Sequence, residues 1–133
     1  MDAKPLILYH IEDPTKAQKL IDLCRPLHFG TKPLANADAG KTIGALAGIP
    51  GVAPKAGKIP AGYKLPEILI FHDLSSDALD FFLAAYRKAG IEPVALKAIV
   101  TPHNQSWPLY ALTEELQKER AAMLLMQHNK SKN

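Results

Sequence analysis

The 133-residue chain has one cysteine, Cys24, and that alone excludes two classes of protein. A single thiol cannot build an internal disulfide framework, and it cannot by itself form a thiolate metal site. Cys24 falls on the apolar side of a predicted helix, where the expected role is a buried, inert thiol. Long hydrophobic runs are missing too, so no segment reaches the length a membrane helix needs. The amino terminus, Met1-Asp2-Ala3-Lys4-Pro5, lacks the charged, apolar and small-residue regions of a secretory signal. These absences lead us to expect a cytoplasmic protein with no membrane partner.

Acidic residues are missing from one stretch in particular. Residues 39–66 carry Lys41, Lys55, Lys58 and Lys64 with no aspartate or glutamate among them, and Lys130 and Lys132 add charge at the end. The chain as a whole is only mildly basic, at +3. Such a segment can attract a polyanion, but no aromatic residues interleave usefully with its lysines. Nucleic acid is therefore not the expected partner.

What remains is an ordinary globular composition, 47% hydrophobic and 22% charged, in a length suited to a single domain over 1–133. Leu6-Ile7-Leu8-Tyr9-His10-Ile11 reads as a buried strand, and Asp13-Pro14 supplies an N-cap and a first-turn proline. Ala17, Leu20, Ile21 and Cys24 form one helical face that Arg25-Pro26 terminates. Leu27-His28-Phe29 is a candidate second strand. Residues 30–65 form a long Gly/Pro-rich basic loop with one helical turn near 42–47. No internal repeat is evident.

Order returns at residue 66. Residues 67–72 are an apolar strand, and Ser75 caps a helix whose stripe is Leu79, Phe82, Leu83 and Tyr86. Gly90 stops that helix, 94–100 form the next strand, and 101–108 turn into a final helix bearing Leu109, Leu112, Leu116 and Met123. Residues 127–133 read as a frayed basic tail. This order is α/β (α+β): a ferredoxin-like βαββαβ sandwich plus a C-terminal helix if the second strand is real. Otherwise it is a minimal three-stranded parallel α/β sheet.

Apparent motifs fail on context. Ala35-Asn36-Ala37-Asp38-Ala39-Gly40-Lys41-Thr42 matches a relaxed phosphate loop, but Lys32-Pro33-Leu34 precedes it and Pro50 cuts off the helix that should follow. His10, His28, His72, His103 and His128 form no i,i+4 pair; His72, Asp73 and His103 could at most meet across strand ends. No metal and no cofactor are expected. Lys97 interrupts an apolar strand, so it must snorkel, meet an acid or face an open surface. Thr101-Pro102-His103-Asn104-Gln105-Ser106-Trp107 is the densest polar stretch, explicable as a self-tied turn or as a pocket edge.

Several of these residues resemble a known family. Pro66-Glu67-Ile68-Leu69-Ile70-Phe71, Leu79-Asp80, Leu83, the string Leu96-Lys97-Ala98-Ile99-Val100-Thr101-Pro102-His103-Asn104, and Trp107, Leu112 and Glu114-Glu115-Leu116 resemble the bacterial family catalogued as domain of unknown function 3783. Lys41-Thr42-Ile43-Gly44-Ala45-Leu46 resembles the segment that precedes this domain in its longer members. The resemblance implies a small bacterial cytoplasmic protein and no particular activity. It favours Lys97, Thr101, Asn104 and Trp107 as positions that belong together.

The reading that follows is a non-enzymatic binding or regulatory domain for a small anionic ligand or a protein partner. Its candidate binding residues are Lys97, Thr101, Asn104, Trp107 and His72, with no catalytic or metal assignment. A homodimer formed over an open sheet face is a further expectation. The alternatives are a small enzyme pairing Lys97 with a strand-end histidine, and nucleic-acid binding through the basic loop.

Overall fold

The computed structural model describes residues 4–54 and 57–131, with side chains through Gln127. The elements are β1 (Leu6–His10), α1 (Pro14–Cys24), β2 (Gly30–Pro33), α2 (Ile43–Leu46), β3 (Ile68–His72), α3 (Ser76–Lys88), β4 (Leu96–Ile99) and α4 (Leu109–Ser131), with a 3-10 turn over Asn36–Gly40. Local chemistry sets the helix starts. Asp13 accepts from the Thr15 N–H, Ser75 from that of Ala78, and Thr42 from that of Ala45. Gly90, at φ 72°, follows the last turn of α3 as a left-handed stop.

The α/β class is correct, but the ferredoxin-like arrangement is not what forms. One four-stranded sheet has the order β2-β1-β3-β4. β1 pairs parallel with β2, β3 pairs parallel with β4, and the two central strands run antiparallel. Each helix therefore returns the chain to the neighbouring position, giving two adjacent βαβ units. A ferredoxin-like sheet would interleave them. The three-stranded alternative fails as well, because Gly30–Pro33 forms a real edge strand. It lies just beyond the expected residues 27–29, and an edge position tolerates its proline.

The strands are short, so burial decides their pattern. β1 and β3 are central and covered on both faces, which explains their nearly unbroken apolar runs. Ile7, Tyr9, Leu69 and Phe71 face α1 and α3, where Phe82 sits fully buried among Phe29, Phe71 and Tyr86. Leu8, Ile68 and Ile70 face the opposite layer, built from Leu34, Ile43, Leu46, Leu65, Leu109 and Leu112. The segment between β2 and β3 thus folds over one sheet face together with α4. It buries core residues, which a sequence dominated by glycine and proline conceals.

The two βαβ units form an internal repeat. The β1–β3 register is centred on Leu8 opposite Ile70. Beyond the edge strands, the Leu34 N–H donates to the Tyr9 carbonyl and the Val100 N–H to that of Phe71, at 2.7 and 2.9 Å. Asp38 then accepts from the Ala35 N–H as Asn104 does from the Thr101 N–H, both at 2.8 Å. The two copies meet at an antiparallel bridge between Thr42 and Pro108. There the Ile43 N–H donates to the Trp107 carbonyl and the Leu109 N–H to that of Lys41, at 3.0 and 2.9 Å. Superposed in this way, the copies share few identities (His10 with His72, Arg25 with Arg87, Ala45 with Ala111, Leu46 with Leu112). A longer helix-to-strand connection in the second copy also shifts the spacing. The repeat lies mainly in backbone geometry, with Asp38 and Asn104 as matching side-chain acceptors.

Candidate functional site

The sequence-predicted positions are divided between the two faces of the sheet. Lys97 lies opposite Leu69 on β4, so its side chain stands on the α1/α3 side. Trp107 packs into the other layer, against the Leu109 and Leu112 cluster. His72 shares that second face, paired with Leu6. Lys97 and the 101–107 turn are neighbours in sequence but do not converge on one cavity.

The turn spends its polar groups on itself. Asn104 Oδ1 accepts from the Thr101 N–H, Thr101 Oγ1 accepts from the Asn104 N–H at 3.1 Å, and Asn104 Nδ2 donates to the Ile99 carbonyl at 3.0 Å. Trp107 closes the corner, its N–H donating to the Asn104 carbonyl at 3.0 Å and its ring meeting His103 edge-on at 5.3 Å. These bonds position the start of α4 on the sheet.

His72 lines an open cleft of about 740 Å³ at one end of the sheet, with Lys4, His28 and Asp73 among the other walls. His28 and Asp73 have φ of 60° and 63°, the two non-glycine residues in the left-handed region among the described residues. Both are residue types that tolerate this region, and Asp73 is further held by accepting from the Lys4 N–H at 2.8 Å. Among the described residues, no three His, Cys, Asp or Glu side chains are placed to hold a metal ion.

Lys97 lines a groove of about 380 Å³ between α3 and β4, together with Leu83, Tyr86, Arg87, Ile91 and Pro93. Its floor is apolar: Tyr86 and Ile91 are buried and Leu83 is half-buried. Arg87 and Lys97 are exposed at its rim, and among the described residues neither has an ion-pair partner. The connection that forms one wall is pinned twice. The Tyr86 hydroxyl donates to the Glu92 carbonyl, and Lys16 Nζ donates to the Pro93 carbonyl at 3.1 Å. Lys16 also neutralises Glu67 at 2.7 Å. Burial, with the negative charges of Glu67 and Glu92, pushes the Tyr86 hydroxyl up to about 12, so it stays a neutral donor.

The internal repeat supplies a comparison within the same molecule. Arg25 is the counterpart of Arg87, and Thr31 stands where Lys97 does, opposite Ile7. In the first copy Arg25 lies 3.9 Å from Asp22, and a threonine holds the register position of Lys97. The second copy combines two cations that have no ion pair among the described residues with an apolar floor. Arg87 carries no site signal in the sequence beyond its i,i+4 relation to Leu83, which puts both at the edge of the buried stripe.

The phosphate-loop lookalike serves the fold. Lys41 is paired with Asp38 at 2.8 Å, and Thr42 is buried, donating to the Ala53 carbonyl at 2.6 Å while capping a helix of only four residues. Burial raises the Asp38 carboxyl, but hydrogen bonds from Lys41 and the Ala35 N–H, with the charges of Lys41 and Lys32, outweigh it and hold the group below the usual range. Of the other lysines in the basic stretch, Lys64 sits 3.8 Å from Glu12, and Lys55 lies outside the described residues.

Residues 67–123 match the family model described as Domain of unknown function (DUF3783), the family that the sequence motifs indicate. The match spans the second repeat, from β3 into α4, and so includes Arg87, Lys97 and the Thr101–Asn104 corner. No curated protein and no solved structure matches the chain. Among the described residues, no helix is long and apolar enough to cross a membrane.

Proposed function

We propose that this protein is a non-enzymatic binding module for a small organic anion, a carboxylate or phosphate attached to an apolar body, seated in the α3/β4 groove. One observation carries the reading: Arg87 and Lys97, neither ion-paired among the described residues, flank an apolar-floored groove of about 380 Å³. That volume falls at the small end of ordinary ligand sites, which likewise combine an apolar lining with a few polar groups. The Arg87 guanidinium supplies a planar fork suited to a carboxylate or phosphate, and Lys97 adds a mobile point charge. Because Tyr86 and Lys16 already pin the wall, the site is formed before binding, and little ordering opposes the ligand.

The geometry favours this over an acid–base enzyme. A lysine and a histidine that share a proton transfer must reach one cavity, and Lys97 and His72 stand on opposite faces of the sheet. A cytoplasmic setting suits a chain whose only thiol is free and buried.

Phenyl phosphate and benzoate test the reading by calorimetric titration. Binding of at least one probe, weakened about tenfold by Arg87→Ala and again by Lys97→Ala, is the expected result. The first-copy variant Arg25→Ala should leave the affinity unchanged. Equal affinity in the wild type and the Arg87→Ala/Lys97→Ala double variant would overturn the assignment.

A further inference from the structure

The two outer strands of the sheet are not equally closed. The Val100 N–H donates to the Phe71 carbonyl and the Leu34 N–H to that of Tyr9. In a parallel ladder the backbone groups of alternate residues turn to opposite sides. Residues 97 and 99 of β4 therefore direct theirs away from β3, as residues 31 and 33 of β2 do from β1. On β2 the second of these is Pro33, which has no N–H and blunts the edge. On β4 the equivalent residue is Ile99, whose N–H stays on offer. The Ile99 carbonyl is already taken by Asn104 Nδ2 at 3.0 Å. The Lys97 N–H, the Lys97 carbonyl and the Ile99 N–H remain as three outward groups, and none bonds to another element among the described residues.

This open edge borders the α3/β4 groove. Lys97 and Ile99 stand opposite Leu69 and Phe71, so both side chains lie on the α1/α3 side of the sheet, and Ile99 is 50% exposed there. Helix α3 ends at Lys88 and the chain enters β4 at Leu96, which puts Arg87 at the N-terminal end of β4. A strand added antiparallel to β4 reaches that end with its own C-terminus.

Resting on the reading of this groove as an anion site, we infer that its ligand is the C-terminus of a partner polypeptide, added antiparallel to β4 as a fifth strand. The partner's last residue stands opposite Lys97. Its free carboxylate lies between Arg87 and Lys97, and its apolar side chain enters the groove over Tyr86 and Ile91. The residue two places earlier falls opposite Ile99 on the same face, so an apolar side chain is favoured there as well. Main-chain bonds to Lys97 and Ile99 add affinity whatever the partner's sequence. Charge selects this occupant over a second copy. Two β4 edges paired with each other bring two sets of Arg87 and Lys97 to one seam, whereas a terminal carboxylate meets one set with the opposite sign. Both faces of the central strands are covered, so the self-association expected over an open sheet face finds no such face there.

Calorimetric titration of the full chain with acetyl-Thr-Val-Thr-Leu, as the free acid and as the C-terminal amide, tests the inference. The acid should bind about tenfold more tightly than the amide. Methylating the leucine nitrogen removes the donor to the Lys97 carbonyl and should weaken the acid by about tenfold. Ile99→Pro copies Pro33 of the first repeat; it should weaken the peptide by about tenfold and leave phenyl phosphate binding unchanged. The methylated peptide needs no variant, so it decides the case even where Ile99→Pro lowers the urea midpoint. An acid that binds no better than the amide, or a methylated peptide of equal affinity, would overturn the inference. Binding of phenyl phosphate or benzoate without binding of the peptide would overturn it alone and leave the anion site standing, whereas absence of all three would overturn both. A wild-type dimer in sedimentation equilibrium that Ile99→Pro dissociates would assign the edge to a second copy and overturn it as well.

Discussion

Replacing Asn104 with alanine separates a ligand contact from a tied corner. The substitution removes two side-chain hydrogen bonds, from the Thr101 N–H at 2.8 Å and to the Ile99 carbonyl at 3.0 Å. The first is part-buried and the second exposed, and at about 1 kcal/mol for each the expected loss is about 2 kcal/mol at most. In a chain of this length that lowers Tm by roughly 6–10 °C. Asn104→Asp keeps the acceptor for the Thr101 N–H, the role Asp38 fills in the first repeat, and should cost about half as much. Urea unfolding with an unchanged m-value measures both, and phenyl phosphate affinity measured alongside should not move. A loss below about 0.5 kcal/mol for Asn104→Ala would refute the tied-corner argument. A tenfold drop in affinity without loss of stability would return Asn104 to the binding site.

Three further outcomes follow from the geometry. Gly44→Ala places a Cβ 2.9 Å from the Gln105 carbonyl oxygen and 3.0 Å from Val52, so it should cost about 1–3 kcal/mol in urea unfolding by wedging apart the contact between the repeats. Asp38, held below its ordinary pKa by Lys41, contributes stability above the unfolded-state value that fades as pH falls through its folded value. Urea midpoints between pH 2 and 5 should therefore show the acid loss setting in at higher pH for Lys41→Ala than for the wild type. Burial pushes the Cys24 thiol up to about 11, so iodoacetamide at pH 8 should label the native chain slowly and the unfolded chain fast, followed by mass spectrometry.

Much of the second half was legible because local chemistry and burial agree there. Ser75, the stripe of Leu79, Phe82, Leu83 and Tyr86, and Gly90 all specify one helix, and that helix forms over Ser76–Lys88. The topology was harder, because strand pairing is a tertiary choice that patterning does not encode. Apolar runs such as Leu6–His10 and Ile68–His72 suit parallel or antiparallel neighbours equally. The repeat stayed hidden because hydrogen-bonded backbone positions carry it, with Asp38 and Asn104 performing one task as different residues. The 30–65 segment read as loop because Pro50, Gly48 and Gly51 punctuate it, yet Leu34, Ile43, Leu46 and Leu65 from it are core. Of the candidate site, Lys97 was visible as a charge in an apolar strand. Its partnership with Arg87 depends on α3 crossing β4, which no spacing in the sequence records.

The central claim is that the α3/β4 groove holds an anion between Arg87 and Lys97. Amide chemical-shift mapping with phenyl phosphate tests it most directly. Shifts should concentrate at residues 83–97 and vanish in the Arg87→Ala/Lys97→Ala variant, with the counterpart positions around Arg25 and Thr31 silent. Shifts centred on the His72 cleft, or shifts at the groove that persist in the double variant, would contradict it.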